Sequence, residues 1–150
     1  MPPTTSSTTR RLQAKLNTPI CLDESITSLH RARKALDVDA ARWINIKHGR
    51  VGGLTNAIAL EALCRERGVP CWIGSMLESF VGQGPTLALA TLPGISYAAD
   101  VFPDGRLYAH DIAEPPIHLT GPGTVTAPDR PGHGFAPNMD RLDAALVAAG

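Results

Sequence analysis

Short apolar runs alternate with amphipathic stretches along most of this chain. Pro19-Ile20-Cys21-Leu22 is a brief apolar run that ends in Asp23-Glu24-Ser25. Thr27 or Ser28 can cap a following helix, and the pattern carries that helix to about Leu36. Trp43-Ile44-Asn45-Ile46 reads as a second strand ending at Lys47. Gly49, Gly52 and Gly53 then form a loop, and Thr55 is placed to cap a helix with apolar residues at Ala57, Leu60, Ala62 and Leu63. Gly68 suits the position just past that helix, with Arg65 and Arg67 favourable against its dipole. Pro70-Cys71-Trp72-Ile73 predicts a third strand, ending at Gly74-Ser75-Met76, and a third helix is expected over about Ser79 to Leu92. Gly82, Gly84 and Pro85 weaken the start of that helix. Ile95-Ser96-Tyr97-Ala98-Ala99 is the natural fourth strand, and Asp100 follows it.

The units are regular in length. Asp23 and Lys47 are 24 residues apart, Lys47 and Ile73 are 26 apart, and Ile73 and Asp100 are 27 apart. Such spacing suits the repeating strand-helix units of a parallel barrel, which has eight in about 250 residues; here there are four. After Asp100 the pattern changes. Pro103, Pro115, Pro116, Pro122, Pro128 and Pro131 cut the chain into short extended pieces, such as Pro116-Ile117-His118-Leu119 and Thr124-Val125-Thr126. An amphipathic helix from Met139 to Ala149 closes the pattern. The expected organisation is a leader over 1–10, a half-barrel over 11–112, and a C-terminal tail and helix over 113–150.

Composition narrows the function classes. Hydrophobic residues make up 43% of the 150 and charged residues 19%, which suits a globular chain with one core. Fourteen basic residues balance fourteen acidic ones. No basic stretch marks the chain for nucleic acid or an anionic membrane. No apolar run approaches the roughly 20 residues of a membrane span. Cys21, Cys64 and Cys71 match no zinc or redox spacing, and read as small buried hydrophobes in a reducing cytoplasm. The first ten residues, rich in Pro, Ser and Thr, lack the apolar core of a secretory signal and are expected to be a disordered leader.

The candidate chemistry sits at strand ends. In α/β folds reacting groups gather at the C-terminal ends of parallel strands, where the loops leave an open mouth. Asp23, Lys47, the turn Gly74-Ser75-Met76 and Asp100 all fall there. Adjacent strands lie about 5 Å apart, so Asp23 and Lys47 can share one small site. A carboxylate suits a hard cation such as Mg2+, and a lysine beside such a cation has its pKa lowered, which fits it to take a proton. An ordinary ion pair between Asp23 and Lys47 would show the same spacing.

Three segments carry a more specific signal: Thr18-Pro19-Ile20-Cys21-Leu22-Asp23-Glu24-Ser25-Ile26, Ile44-Asn45-Ile46-Lys47-His48-Gly49-Arg50-Val51-Gly52-Gly53 and Gly74-Ser75-Met76-Leu77-Glu78-Ser79. In order and spacing they resemble the later barrel strands of the enolase superfamily, and within it the o-succinylbenzoate synthase and N-acylamino acid racemase group. The resemblance runs from about Arg11 to the C-terminus. It implies an α/β fold, the second half of a (β/α)8 TIM-type barrel (strands five to eight) with an extended C-terminal tail and helix. It also implies Mg2+-dependent proton abstraction next to a carboxylate of a small-molecule substrate. Asp23 would then be the third of three carboxylate Mg2+ ligands. Lys47 would be one of two lysines facing the substrate α-carbon, and Gly74, Ser75 and Met76 would line the pocket. Glu24 is expected to make a structural salt bridge, Glu78 to orient the pocket loop or stay solvated, and His48 to be a loop histidine.

Where the resemblance departs from the family pattern, further expectations follow. The family's other metal ligands and its Lys-x-Lys strand precede the position of Asp23, and neither motif occurs in these 22 residues. A truncated product, half of a split enzyme completed by an N-terminal half, and a non-catalytic half-barrel used for assembly are three accounts of such a chain. Weak or absent Mg2+ binding and self-association are expected of it alone. Dipeptide epimerases and other muconate-cycloisomerase-like enzymes are the rival relatives. The epimerases tend to carry Asp-x-Asp on the eighth strand, whereas Val101 and Phe102 follow Asp100 here.

Overall fold

The computed structural model describes residues 5–149. Its centre is a parallel sheet of three short strands, β1 (Cys21–Leu22), β2 (Trp43–Ile46) and β3 (Cys71–Ile73), in that spatial order. The register pairs Cys21 with Trp43, and Asn45 with Trp72. Alternation along the strands therefore gives the sheet two unlike faces. Leu22, Ile44, Ile46, Cys71 and Ile73 lie on one and are buried. Cys21, Trp43, Asn45 and Trp72 lie on the other, and Asp23, Lys47 and Gly74 continue it past the strand ends.

Helices cover the first face. Helix α2 (Leu29–Asp37) starts at Ser28, whose hydroxyl accepts from Arg31 N at 3.2 Å. Helix α4 (Leu54–Glu66) runs between β2 and β3, and Gly68 beyond it has φ of 63°. Ala32, Ala35 and Leu36 from α2 and Ala57, Leu60, Leu63 and Cys64 from α4 close over the strands as one core. Each fully buried Ile or Leu there contributes about 1.5–3 kcal/mol of transfer free energy.

Several expectations need correction. Helix α1 (Thr5–Gln13) occupies most of the expected disordered leader; residues 1–4 lie outside the described residues. Thr and Ser are modest helix formers, so tertiary bonds matter here. The buried Gln13 donates from Nε2 to the carbonyls of Leu16 and Thr18, each at 3.2 Å, and its Oε1 accepts from Ile20 N at 2.7 Å. That side chain ties the helix end to β1. The loop expected after Lys47 opens with a helical turn, α3 (His48–Val51), and Gly53 rather than Thr55 is the N-cap of α4. Helix α5 (Phe80–Leu89) begins where expected and stops earlier.

The fourth strand does not form. Ile95 makes an isolated parallel bridge to Cys71, and Asp100 N next bonds Ile73 O at 3.0 Å. The stretch between those two contacts is longer than its counterpart on β3, so the chain from Ser96 to Ala99 bulges out of register. Tyr97 swings across the sheet, its ring centroid 4.4 Å from that of Trp43.

Strands β4 (Ala113–Glu114) and β5 (Ala136–Pro137) pair antiparallel in the C-terminal segment, and α6 (Met139–Ala149) has the expected bounds. Pro116-Ile117-His118-Leu119 and Thr124-Val125-Thr126 are not strands; only Gly121 and Thr124 bridge across a tight turn. Ala113, Ile117 and Phe135 share a second core with Phe80 and Leu87 of α5, so this segment packs directly on the barrel-side helix. No helix among the described residues is long and apolar enough to cross a membrane.

Candidate active site

The parallel register brings the ends of β1, β2 and β3 together. Asp23 directly follows β1, and Lys47 directly follows β2. Lys47 Nζ lies 3.4 Å from Asp23 Oδ2, with both side chains mostly shielded from solvent. Arg50, one turn on in α3, reaches the same carboxylate: its Nη1 donates to Asp23 Oδ1. Each oxygen of Asp23 therefore faces a cation.

The third strand end supplies space. Gly74 N extends the ladder to Ile46 O at 3.0 Å. A Cβ at position 74 would fall 2.7 Å from Asn45 Nδ2 and 2.8 Å from Lys47 Cε, so only glycine leaves room for both side chains. Ser75 is buried and donates from Oγ to Asp100 O at 2.5 Å. Asp100 thus joins the same mouth through its backbone. Met76 is exposed at 45%, and its Sδ accepts from Arg50 Nη2 at 3.8 Å. All five residues expected at the site, Asp23, Lys47, Gly74, Ser75 and Met76, meet at one end of the sheet.

Other residues hold this arrangement in place. His48 Nε2 donates to Gly82 O at 3.0 Å and lies 3.9 Å from Glu78 Oε1, which ties the start of α3 to the first turn of α5 and the loop before it. Glu24 is exposed and makes no ion pair among the described residues, contrary to the expected salt bridge, because its side chain points away from the sheet into solvent. Two contributors are not identified by the sequence reading. Arg50 falls in the segment expected to be a loop. Asn45, buried with Oδ1 lacking a hydrogen-bond partner, is embedded in an apolar run. A polar residue two positions before Lys47 in a strand shares its face, and that alternation is the available signal.

The site can move a proton at Lys47 Nζ and orient that amine through Asp23. It does not by itself suit Mg2+. That ion takes near-octahedral oxygen coordination. Among the described residues no three His, Cys, Asp or Glu side chains cluster to hold a metal, and both oxygens of Asp23 are already engaged.

With this geometry established, the chain can be set beside known proteins. Residues 1–141 match the family described as enolase C-terminal domain-like. The o-succinylbenzoate synthase of Geobacillus stearothermophilus is 47% identical over 131 residues, a match covering 87% of this chain and 34% of that protein. The N-succinylamino acid racemase of an Amycolatopsis species is 40% identical, covering 91% of this chain and 37% of that protein. A solved structure of an enolase superfamily member from Listeria innocua superposes with a TM-score of 0.88 at 32% identity, covering 96% of this chain and 39% of that one. The chain spans about a third of the length of the curated relatives it matches.

Proposed function

This chain belongs to the enolase C-terminal domain-like family, and from that premise we propose that it carries the lysine and one carboxylate of a site that removes a proton next to a carboxylate. The substrate class is a small carboxylic acid of the kind named for the relatives, an o-succinylbenzoate precursor or an N-succinylamino acid. Lys47 is the acid-base group on one face of the substrate carbon. Asp23 orients Lys47 and is one carboxylate of a Mg2+ site whose other oxygen ligands are not among the described residues. Gly74, Ser75 and Met76 form the pocket wall.

The observation that carries this reading is the 3.4 Å approach of Lys47 Nζ to Asp23 Oδ2 at the ends of adjacent parallel strands, beside the gap left by Gly74. Proton transfer requires a group held within hydrogen-bond reach of the reacting atom, and positioned acid-base groups contribute about 10²–10⁴-fold.

A chimera tests the proposal. This chain replaces the matching third of the Geobacillus stearothermophilus synthase, and formation of o-succinylbenzoate is measured. Synthase activity is expected, with a loss of at least about 10²-fold in Lys47→Ala. A folded chimera that is inactive, or one indifferent to Lys47→Ala, would refute the assignment.

A further inference from the structure

We infer that Asn45 is a positioning residue for Lys47: its side-chain oxygen takes a hydrogen bond from the Lys47 amine and holds that amine on the Gly74 side of the mouth. The first observation is that each of the two groups lacks a partner. Asn45 is 3% exposed, and its Oδ1 has no hydrogen-bond partner among the described residues. A buried acceptor left unpaired is costly, and folded proteins leave few of them. Lys47 carries three N–H donors on a side chain only 15% exposed. The Asp23 oxygen it faces stands at 3.4 Å, beyond the about 2.7–3.2 Å of a well-formed N–H···O bond. Arg50 already donates to the same carboxylate. The ion pair with Asp23 therefore leaves donors of the amine to spare.

The second observation is where the two groups lie. Asn45 and Lys47 alternate onto one face of the chain that forms β2. The register sets Asn45 beside Trp72, and continued past the strand ends it sets Lys47 beside Gly74. Both side chains lean onto that glycine. A Cβ there would stand 2.7 Å from Asn45 Nδ2, nearer still to Asn45 Oδ1, and 2.8 Å from Lys47 Cε. The end of the lysine stem and the carboxamide thus share one small space, and Nζ is a single bond beyond Cε. A turn about the last side-chain bonds brings Nζ onto Oδ1, which satisfies both groups with one charge-assisted hydrogen bond.

Asp23 stands on the β1 side of Lys47, and the Asn45 carboxamide leans to the β3 side. The two acceptors therefore fix the amine from opposite sides. The contact rests on the geometry of β2 and β3 alone. Its catalytic meaning rests on the assignment of Lys47 above, because an acid-base group acts only from within hydrogen-bond reach of the reacting atom. Asn45 draws the amine toward the wall formed by Gly74, Ser75 and Met76, and so toward the substrate.

Lysine acetylation tests the contact in the full chain without any activity. The chain has three lysines, Lys15, Lys34 and Lys47, and the first two are exposed and serve as internal standards. The probe is an N-hydroxysuccinimide ester of acetic acid, read by peptide mass. Asn45→Leu keeps the size of the side chain and removes the acceptor. It is expected to raise the Lys47 rate about tenfold relative to Lys15 and Lys34, as the loss of a hydrogen bond to a charged group would. Asn45→Asp keeps an acceptor and should label no faster than the parent, an outcome that does not depend on how well Asn45→Leu folds. In the chimera, Asn45→Leu should lower kcat about tenfold with KM within about twofold, and Asn45→Asp should recover most of it. A residue that only filled space would show the reverse order, with Leu tolerated and Asp not. Lys47 acetylated at the parent rate in Asn45→Leu would mean that Oδ1 serves a buried water instead, and would overturn the inference. So would an unchanged kcat for Asn45→Leu in a chimera that Lys47→Ala silences. An inactive parent chimera refutes the proposed function and leaves the acetylation result to decide the contact, so the two readings fail separately.

Discussion

A methyl group added at position 74 would meet Asn45 Nδ2 at 2.7 Å and Lys47 Cε at 2.8 Å. Gly74→Ala is therefore expected to push both side chains aside and to cost about 1–3 kcal/mol of stability, as overpacking does, read as a lower urea midpoint. Single residues also bear on stability at alkaline pH. Burial pushes the Cys21 thiol above its ordinary value of 9.0. The hydrogen bond between Cys64 and Cys71 raises Cys64 and lowers Cys71, while burial raises both. A thiol whose folded value is raised holds its proton more tightly than in the unfolded chain. Its contribution is fully present below 9.0 and is lost as pH climbs through the folded value. Urea midpoints are expected to fall as pH rises above 9.0, and Cys64→Ala should flatten that fall; a midpoint independent of pH would count against the buried thiols. The sequence marks Lys47 and Asp23 because they end apolar runs. It is silent on the pairing of Arg50 with Asp23, because Arg50 ends no apolar run and lies in a stretch that reads as a loop, where only the turn of α3 aims it at the carboxylate.

Elements whose signals are local were legible. Helix α2 begins at the Ser28 cap, β2 and β3 follow their apolar runs, and α6 keeps the predicted bounds. Helix α5 is different. Ser79 stands at its N-cap position without a side-chain bond, and the cap comes from Asp111, 31 residues from Phe80. Both oxygens of the buried Asp111 accept from Phe80 N at 3.1 Å, and Oδ1 also accepts from Ala113 N at 2.9 Å. Asp111→Ala should cost about 2–3 kcal/mol and loosen the start of α5, because two buried donors lose a charged acceptor. Faster hydrogen exchange at Phe80 and Ala113 than in the parent is the expected sign. The run Ile95–Ala99 has strand-like composition and forms no strand, because Tyr97 packs on Trp43 and draws the backbone away from β3. Strand propensity is a preference for a half-buried pleated surface, and that surface exists only if the neighbouring strand stays in register.

At the scale of the whole molecule, titration with Mg2+ is expected to show weak affinity and little change in unfolding midpoint. A single carboxylate already facing Lys47 and Arg50 offers the ion less than its own water does. Micromolar affinity by calorimetry would mean that Asp100 or Glu24 had been recruited. The alternation of β1, α2, β2, α4, β3 and α5, the end of the sheet where Asp23, Lys47 and Gly74 meet, and the family were readable from the amino-acid order. They follow from apolar periodicity, spacing and short motifs along the chain, which are local properties. Tertiary structure alone decided that Thr5–Gln13 is helical and locked by Gln13, that the fourth strand dissolves into a bridge, and that Arg50 and Asn45 lie beside Asp23, Lys47 and Gly74. Each of these depends on contacts between residues far apart in sequence, whose free energies outweigh local propensity and leave no trace in any one segment.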